Sequence, residues 1–181
     1  MTTSQVPLFP AFAPSGHSWI TSAHLAAWSG FGPRAAFNND LIEIVFAPEG
    51  WNGAALTDRE CGLVRWFIDS QAAVHDVMLE RLFDEYPSIR GQLRGYFGKE
   101  ERKEILPKIR EPMQLKKLTG FPAIYVHQVE KDGKPFIGVQ LRCTWDEEHG
   151  VGILLHGTEV LVIGGGDTAR TLWIAKRYVK S

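Results

Sequence analysis

Apolar residues at Leu63, Phe67, Val74, Met78 and Leu82 recur at helical spacing, widened by Trp66 and Val77, and draw one continuous stripe. Ahead of them, Thr57-Asp58-Arg59-Glu60 matches a capping box, in which Thr57 and Glu60 satisfy each other's free amides. Asp69, Asp76, Glu80 and Asp84 form a separate acidic stripe on the same segment. Pro87 predicts the stop, since proline lacks the amide that the next turn needs, so the helix would run to ~43 Å at 1.5 Å per residue.

On either side the periodicity changes. Leu41-Ile42-Glu43-Ile44-Val45-Phe46 reads as a strand closed by Pro48 and Gly50. Residues 88–119 read as broken helix, interrupted by Gly91, Gly95, Gly98, Pro107 and Pro112. From Phe121 onward strands return. Ala123 to Glu130 pairs with Phe136 to Trp145 through Lys131-Asp132-Gly133-Lys134, where Asp-Gly is the hairpin signal. Glu147-Glu148-His149-Gly150 is the next expected turn, leading into Val151 to Leu155. His156-Gly157-Thr158 turns into Glu159 to Ile163. Asp167 or Thr168 then caps a last helix, Ala169 to Tyr178. The pattern predicts an α+β fold: a long central helix packed on an antiparallel β-meander, with a short C-terminal helix.

Residues 1–38 differ in character. They carry Phe9, Phe12, Trp19, Trp28, Phe31 and Phe37 but a single formal charge, Arg34. Disordered tails have few aromatics and many charges, so this N-terminal arm is expected to pack on the body formed by residues 39–181. Within it, Ser18 to Trp28 predicts a short helix ended by Gly30, Gly32 and Pro33.

A chain of 181 residues with 44% hydrophobic and 23% charged residues fits one soluble domain. Its formal charge of −1 argues against non-specific nucleic-acid binding, which needs clustered cations to neutralise phosphates. The charge is polarised, however. Residues 39–80 hold eight acids and two bases, whereas residues 81–117 hold ten bases and six acids. The interleaved Glu100, Glu101 and Glu104 predict a solvated, ion-paired face for the basic stretch. Cys61 and Cys143 lack the spacing of a zinc site or redox pair; two reduced thiols are expected, and a single bridge stays open. No leader is visible at the start, and no apolar run approaches the ~20 residues that cross a bilayer. These features point to a cytoplasmic protein.

Two motifs invite chemistry. Gly164-Gly165-Gly166-Asp167-Thr168-Ala169 satisfies G-x-G-x-x-A after a strand, and so resembles the dinucleotide fingerprint of flavin-dependent pyridine-nucleotide reductases. That fingerprint needs a second parallel strand with an acidic residue ~20 positions on. Only one helix fits between these glycines and Ser181, so they are expected to make a turn, with no cofactor. The second motif is Asp146-Glu147-Glu148-His149. With His156 or His127 it could supply oxygen and imidazole ligands for a metal, and a metal-assisted hydrolase would use Asp146, Glu147, His149 and His156. Neighbouring side chains in a tight turn diverge, which favours a polar turn whose side chains bond turn amides.

Cys143-Thr144-Trp145-Asp146-Glu147-Glu148-His149-Gly150-Val151-Gly152 resembles a C-x-W-D-x-E-H-G-x-G turn carried by uncharacterised bacterial domains, over roughly residues 120–175. Some of those domains are encoded near polymorphic toxins, and the resemblance implies an immunity role. It brings no catalytic residue set. The expectation is a non-enzymatic binding protein that occludes a protein partner, in the specific case a cognate toxin. The surfaces expected to make contact are Asp69, Asp76 and Glu80 on the helix, and Trp145, Asp146, Glu147, Glu148 and His149 at the turn.

Overall fold

A computed structural model describes residues 12–32 and 39–180. Its strands are β1 (Ala13–Ser15), β2 (Ser18–His24), β3 (Leu41–Phe46), β4 (Thr119–Lys131), β5 (Lys134–Cys143), β6 (Asp146–His156) and β7 (Glu159–Gly165). They lie side by side in chain order in one sheet. Neighbours are antiparallel except β3 and β4, which run parallel. Parallel partners need a long crossover, and here it holds the long helix α1 (Asp58–Leu93), the short helix α2 (Glu101–Ile105) and a 3-10 stretch, Pro112–Lys117. The architecture is α+β with a mixed, mostly antiparallel sheet.

The 3.6-residue stripe does what its spacing predicts: Leu63, Phe67, Val74, Met78 and Leu82 are buried on α1, joined by Val64 and Leu79. They meet Ile42, Ile44 and Phe46 of β3, Ile124 and Val126 of β4, and the odd-numbered residues Ile137 to Leu141 and Val151 to Leu155 of β5 and β6. Alternation then sends Phe136 and Leu154 to the opposite face, where they pack with Ala175 of the C-terminal helix α3 (Leu172–Lys180). The sheet is thus sandwiched between α1 and α3. Asp132 and Gly133 both take positive φ, 52° and 72°, in the β4–β5 turn, the conformation that made Asp-Gly informative.

Four expectations are corrected. Ser18–His24 is a strand, not a helix: Thr21 and Ala23 are buried while Ser22 and His24 are exposed, a period of two fixed by pairing with β3. Pro87 does not stop α1, which continues to Leu93 and spans 36 residues. A turn lacking one amide survives because the Tyr86 hydroxyl donates to Pro107 O at 2.9 Å and Arg90 Nε to Leu106 O at 2.8 Å. The β5–β6 turn is Thr144-Trp145, and Asp146 to His149 already belong to β6. Finally, residues 166–170 form a 3-10 turn, and α3 starts at Leu172, whose amide donates to Glu49 Oε1 at 3.0 Å. That carboxylate caps the helix from the loop after β3, so neither Asp167 nor Thr168 does.

Trp28 and Phe31 are wholly buried, stacked on each other and edge-on to His75 of α1. The described part of the N-terminal arm therefore supplies two strands and core aromatics. Phe9 and Phe37 lie outside the described residues. Cys61 and Cys143 are both free. No helix among the described residues is long and apolar enough to cross a membrane.

Candidate functional site

The glycine run finds its explanation in packing. Gly152 of β6 pairs with Gly164 of β7 and with Gln140 of β5, and Gly138 pairs with Leu154, so three glycines share the α3-side face of the sheet. The 3-10 turn 166–170 lies directly on this bare backbone. A Cβ on Gly138 would collide with the Ala169 carbonyl, one on Gly152 would come within 2.6 Å of the Gly166 carbonyl, and one on Gly166 would collide with the His149 carbonyl. Beneath the turn, His127 of β4 is completely buried and its Nε2 donates to Ala169 O at 3.0 Å. Burial lowers its pKa to about 4, so the imidazole is neutral. The glycines hold a lid against the sheet.

That lid ends β7, which among the described residues bonds to β6 alone and forms one margin of the sheet. The opposite margin, β1, is three residues long and contains Pro14, both devices that blunt an edge. β7 is longer and proline-free: Glu159-Val160-Leu161-Val162-Ile163-Gly164-Gly165 carries no lysine, its only charge is at the first position, and its pairing with β6 is interrupted at Leu161 alone. Val160 to Gly164 are half-buried.

A cleft of about 470 Å³ lies along this edge, between β7 and the C-terminal half of α1. Every residue from Val160 to Gly165 borders it. Side chains on one face of a strand recur at every second position, so an unbroken run means that the strand's edge, backbone included, opens onto the cleft. Trp145, Val151, Ile89 and Leu93 provide apolar wall, and Ser88, Gln92 and the ion pair Arg81–Glu85, 2.9 Å, line the helix side. Trp145 is held against the Tyr86 ring, centroids 5.5 Å apart, and the hairpin tip is fixed by Thr144, whose Oγ1 donates to Ile105 O at 2.8 Å. Burial pushes the Tyr86 hydroxyl up to about 12, so it stays a donor.

The acidic-histidine motif is dispersed by its strand. Asp146 borders the cleft, whereas Glu147 lines a different depression with Thr119, Gly120 and Arg142. Asp146 Oδ1 accepts from the His149 amide and meets His149 Nδ1, each at 3.0 Å. This hydrogen bond, with the Asp146 charge, raises the His149 pKa above its ordinary value. The pair closes over Gly150, whose φ of 70° and closeness to the Leu141 carbonyl mark a bulge that only glycine fits. Glu148 and His149 are otherwise exposed. His156 stands seven residues further along β6, ~23 Å at strand rise, where its Nε2 donates to Lys131 O at 2.8 Å and its ring lies on Phe136. Asp146, Glu147, His149 and His156 are therefore not brought together, and the described residues hold no group of three or more His, Cys, Asp or Glu side chains able to bind a metal ion.

Asp69, Asp76 and Glu80 are exposed on α1 but do not border the cleft. Asp76 bonds His75 Nδ1 at 2.8 Å. The strand Glu159 to Ile163 is legible in the sequence, but its edge is not among the expected contact surfaces, nor are Ile89 and Leu93. The unguarded composition of β7 is a usable signal, but its position at a sheet margin beside α1 is set by tertiary structure.

No curated protein and no solved structure matches the chain. A family model does match, over residues 19–170, a span that runs from β2 through the glycine-seated lid and includes the whole cleft. The chain belongs to that family, described as a domain of unknown function, DUF6985.

Proposed function

We propose that this protein is a non-enzymatic binding module that takes up an extended segment of a protein partner along the open edge of β7, beneath α1. The observation that carries this reading is the unbroken border of the cleft by Val160 to Gly165. An incoming strand would satisfy the outward amides and carbonyls of β7, which supplies affinity. Its alternate side chains would meet the apolar wall of Trp145, Ile89 and Leu93, which supplies selectivity. Arg81, Glu85 and Asp146 at the rim offer both signs of charge and would fix the register.

The specific form we propose is immunity by occlusion, in the cytoplasm, with a toxin encoded beside this protein as the partner. The resemblance of the Cys143–Gly152 segment to domains near polymorphic toxins supports it, and Trp145 and Asp146 of that segment border the cleft. The test is co-expression with the product of the adjacent gene. A complex that rescues growth, and loses at least 100-fold in affinity with Ile163→Lys but less than threefold with Asp76→Lys, supports the proposal. Equal binding by the Ile163→Lys protein, verified as folded by its melting curve, would place any contact away from β7 and refute the edge mechanism. Absence of both a complex and rescue refutes the immunity role.

A further inference from the structure

A second concave surface, independent of the β7 edge, lies where α1 gives way to α2. This groove, of about 660 Å³, is lined by Arg90, Arg94, Lys99, Arg102, Lys103 and Lys108, with Pro107 as the remaining lining residue. The interleaved acids predict an ion-paired face for this stretch, and the fold realises that pairing at one groove cation, Lys103. Glu101 accepts from the Gly98 amide at 2.7 Å, and Glu100 pairs with Lys103 at 2.5 Å. No carboxylate borders the groove. Among the described residues, Arg90, Arg94, Lys99, Arg102 and Lys108 make no ion pair.

A helix C-terminus favours nearby cations, which accounts for Arg90 and Arg94 at the end of α1. It does not account for Lys99 and Lys108, which lie in the connecting segments around α2. The five cations without an ion pair, Arg90, Arg94, Lys99, Arg102 and Lys108, repel each other around one hollow, and a bound anion relieves that repulsion. One guanidinium is also positioned in advance: Arg90 Nε is tethered to Leu106 O, which orients the rest of its planar fork.

We propose that this groove binds a compact oligophosphate, such as the phosphate chain of a nucleotide or inorganic tripolyphosphate. Arginine forks and lysine ammonium groups suit densely charged phosphate oxygens. The cations converge on a single hollow, and the acidic face of Asp69, Asp76, Glu80 and Asp84 occupies the earlier part of the same helix. A long polyanion tracking α1 would be repelled there, so a short multivalent ligand fits better than a nucleic-acid strand.

The test titrates the intact protein with sulfate, pyrophosphate and tripolyphosphate by calorimetry at low salt. A single-stranded 20-nucleotide RNA serves as the comparison. Expected are saturable binding that tightens from sulfate to tripolyphosphate and a rise in melting temperature with tripolyphosphate. Affinity should fall at least tenfold in Arg94→Gln/Arg102→Gln but remain unchanged in Lys176→Gln, an exposed position on α3. Lack of saturable tripolyphosphate binding overturns the proposal, as does undiminished binding by the double variant with its fold verified by circular dichroism. RNA bound more tightly than tripolyphosphate, and lost in the double variant, overturns it in favour of a nucleic-acid groove.

Discussion

The three consecutive glycines at positions 164–166 are expected to respond very differently to alanine, because only packing distinguishes them. Gly165 has φ −62° and ψ 164°, a conformation open to any residue, and a Cβ there would meet nothing within 4 Å. Gly165→Ala is expected to change stability by less than about 0.5 kcal/mol, or to raise it slightly through the reduced freedom of the unfolded chain. At Gly164 the new methyl would stand 2.5 Å from Thr168 Oγ1, a side chain that can rotate, so about 1 kcal/mol is expected. At Gly166 it would collide with the His149 carbonyl and stand 2.6 Å from Gln140 Nε2, which is part of a side chain that also accepts from the Tyr125 hydroxyl. Relief requires the lid to lift from the sheet, which strains the His127–Ala169 bond. Overpacking of about 1–3 kcal/mol, with about 1–3 kcal/mol for any buried group left unpaired, gives a loss of about 3 kcal/mol. For a chain of this size that lowers the melting temperature by ~6–12 °C. Urea unfolding of the three variants, compared by midpoint at constant slope, decides the matter. Equal effects at all three positions, or a Gly166→Ala loss below about 1 kcal/mol, would refute the packing explanation.

Further outcomes follow from the same contacts. His127, lowered to about 4 by burial, binds its proton more weakly folded than unfolded, so stability is expected to fall as pH drops below the ordinary 6.5 toward 4. Between pH 7 and 5 this contributes ~2 kcal/mol, and His127→Gln, whose amide can still donate to Ala169 O, should remove that part of the slope in urea titrations at the two pH values. For His149 the sign is reversed: its raised pKa means that the contact with Asp146 helps at low pH and is lost as pH rises through the folded value. Its imidazole titration followed by NMR should lie above 6.5 and return toward it in Asp146→Asn; an unchanged titration would contradict the pairing. Cys143 is 4% exposed and its thiol is pushed up to about 12 by burial, so a disulfide-exchange reagent should spare it in native protein and label two thiols in denaturant. Rapid labelling of both without denaturant would count against the position of the β5–β6 hairpin.

Local signals proved readable where local physics decides the structure. The capping box at Thr57 and Glu60 is present, because its partners are three residues apart and need nothing else. Asp132-Gly133 makes its hairpin turn for the same reason. The apolar stripe of α1 was legible because a buried face must repeat with the helix. The helix expected over Ser18 to Trp28 is present only as a 3-10 turn at Ala26–Trp28, because Ser18–His24 is held as a strand by pairing with β3, which lies well along the chain. Pro87 lies within a helix for a similarly remote reason, the anchoring of Tyr86 and Arg90 to residues 106 and 107. The acidic-histidine motif was visible as residues, but not as a strand whose alternation and bulge part Asp146 from Glu147. The cleft depends on where α1 comes to lie against β7, a relation with no local signature.

Amide hydrogen exchange on the protein alone and in complex with the product of the adjacent gene tests the docking proposal most directly. The amides of residues 160–165 that point away from β6 are expected to exchange readily in the free protein and gain strong protection in the complex, with a smaller gain across residues 81–93 of α1. Unchanged exchange along β7, with protection appearing at Asp69 to Glu80 or elsewhere, would contradict it.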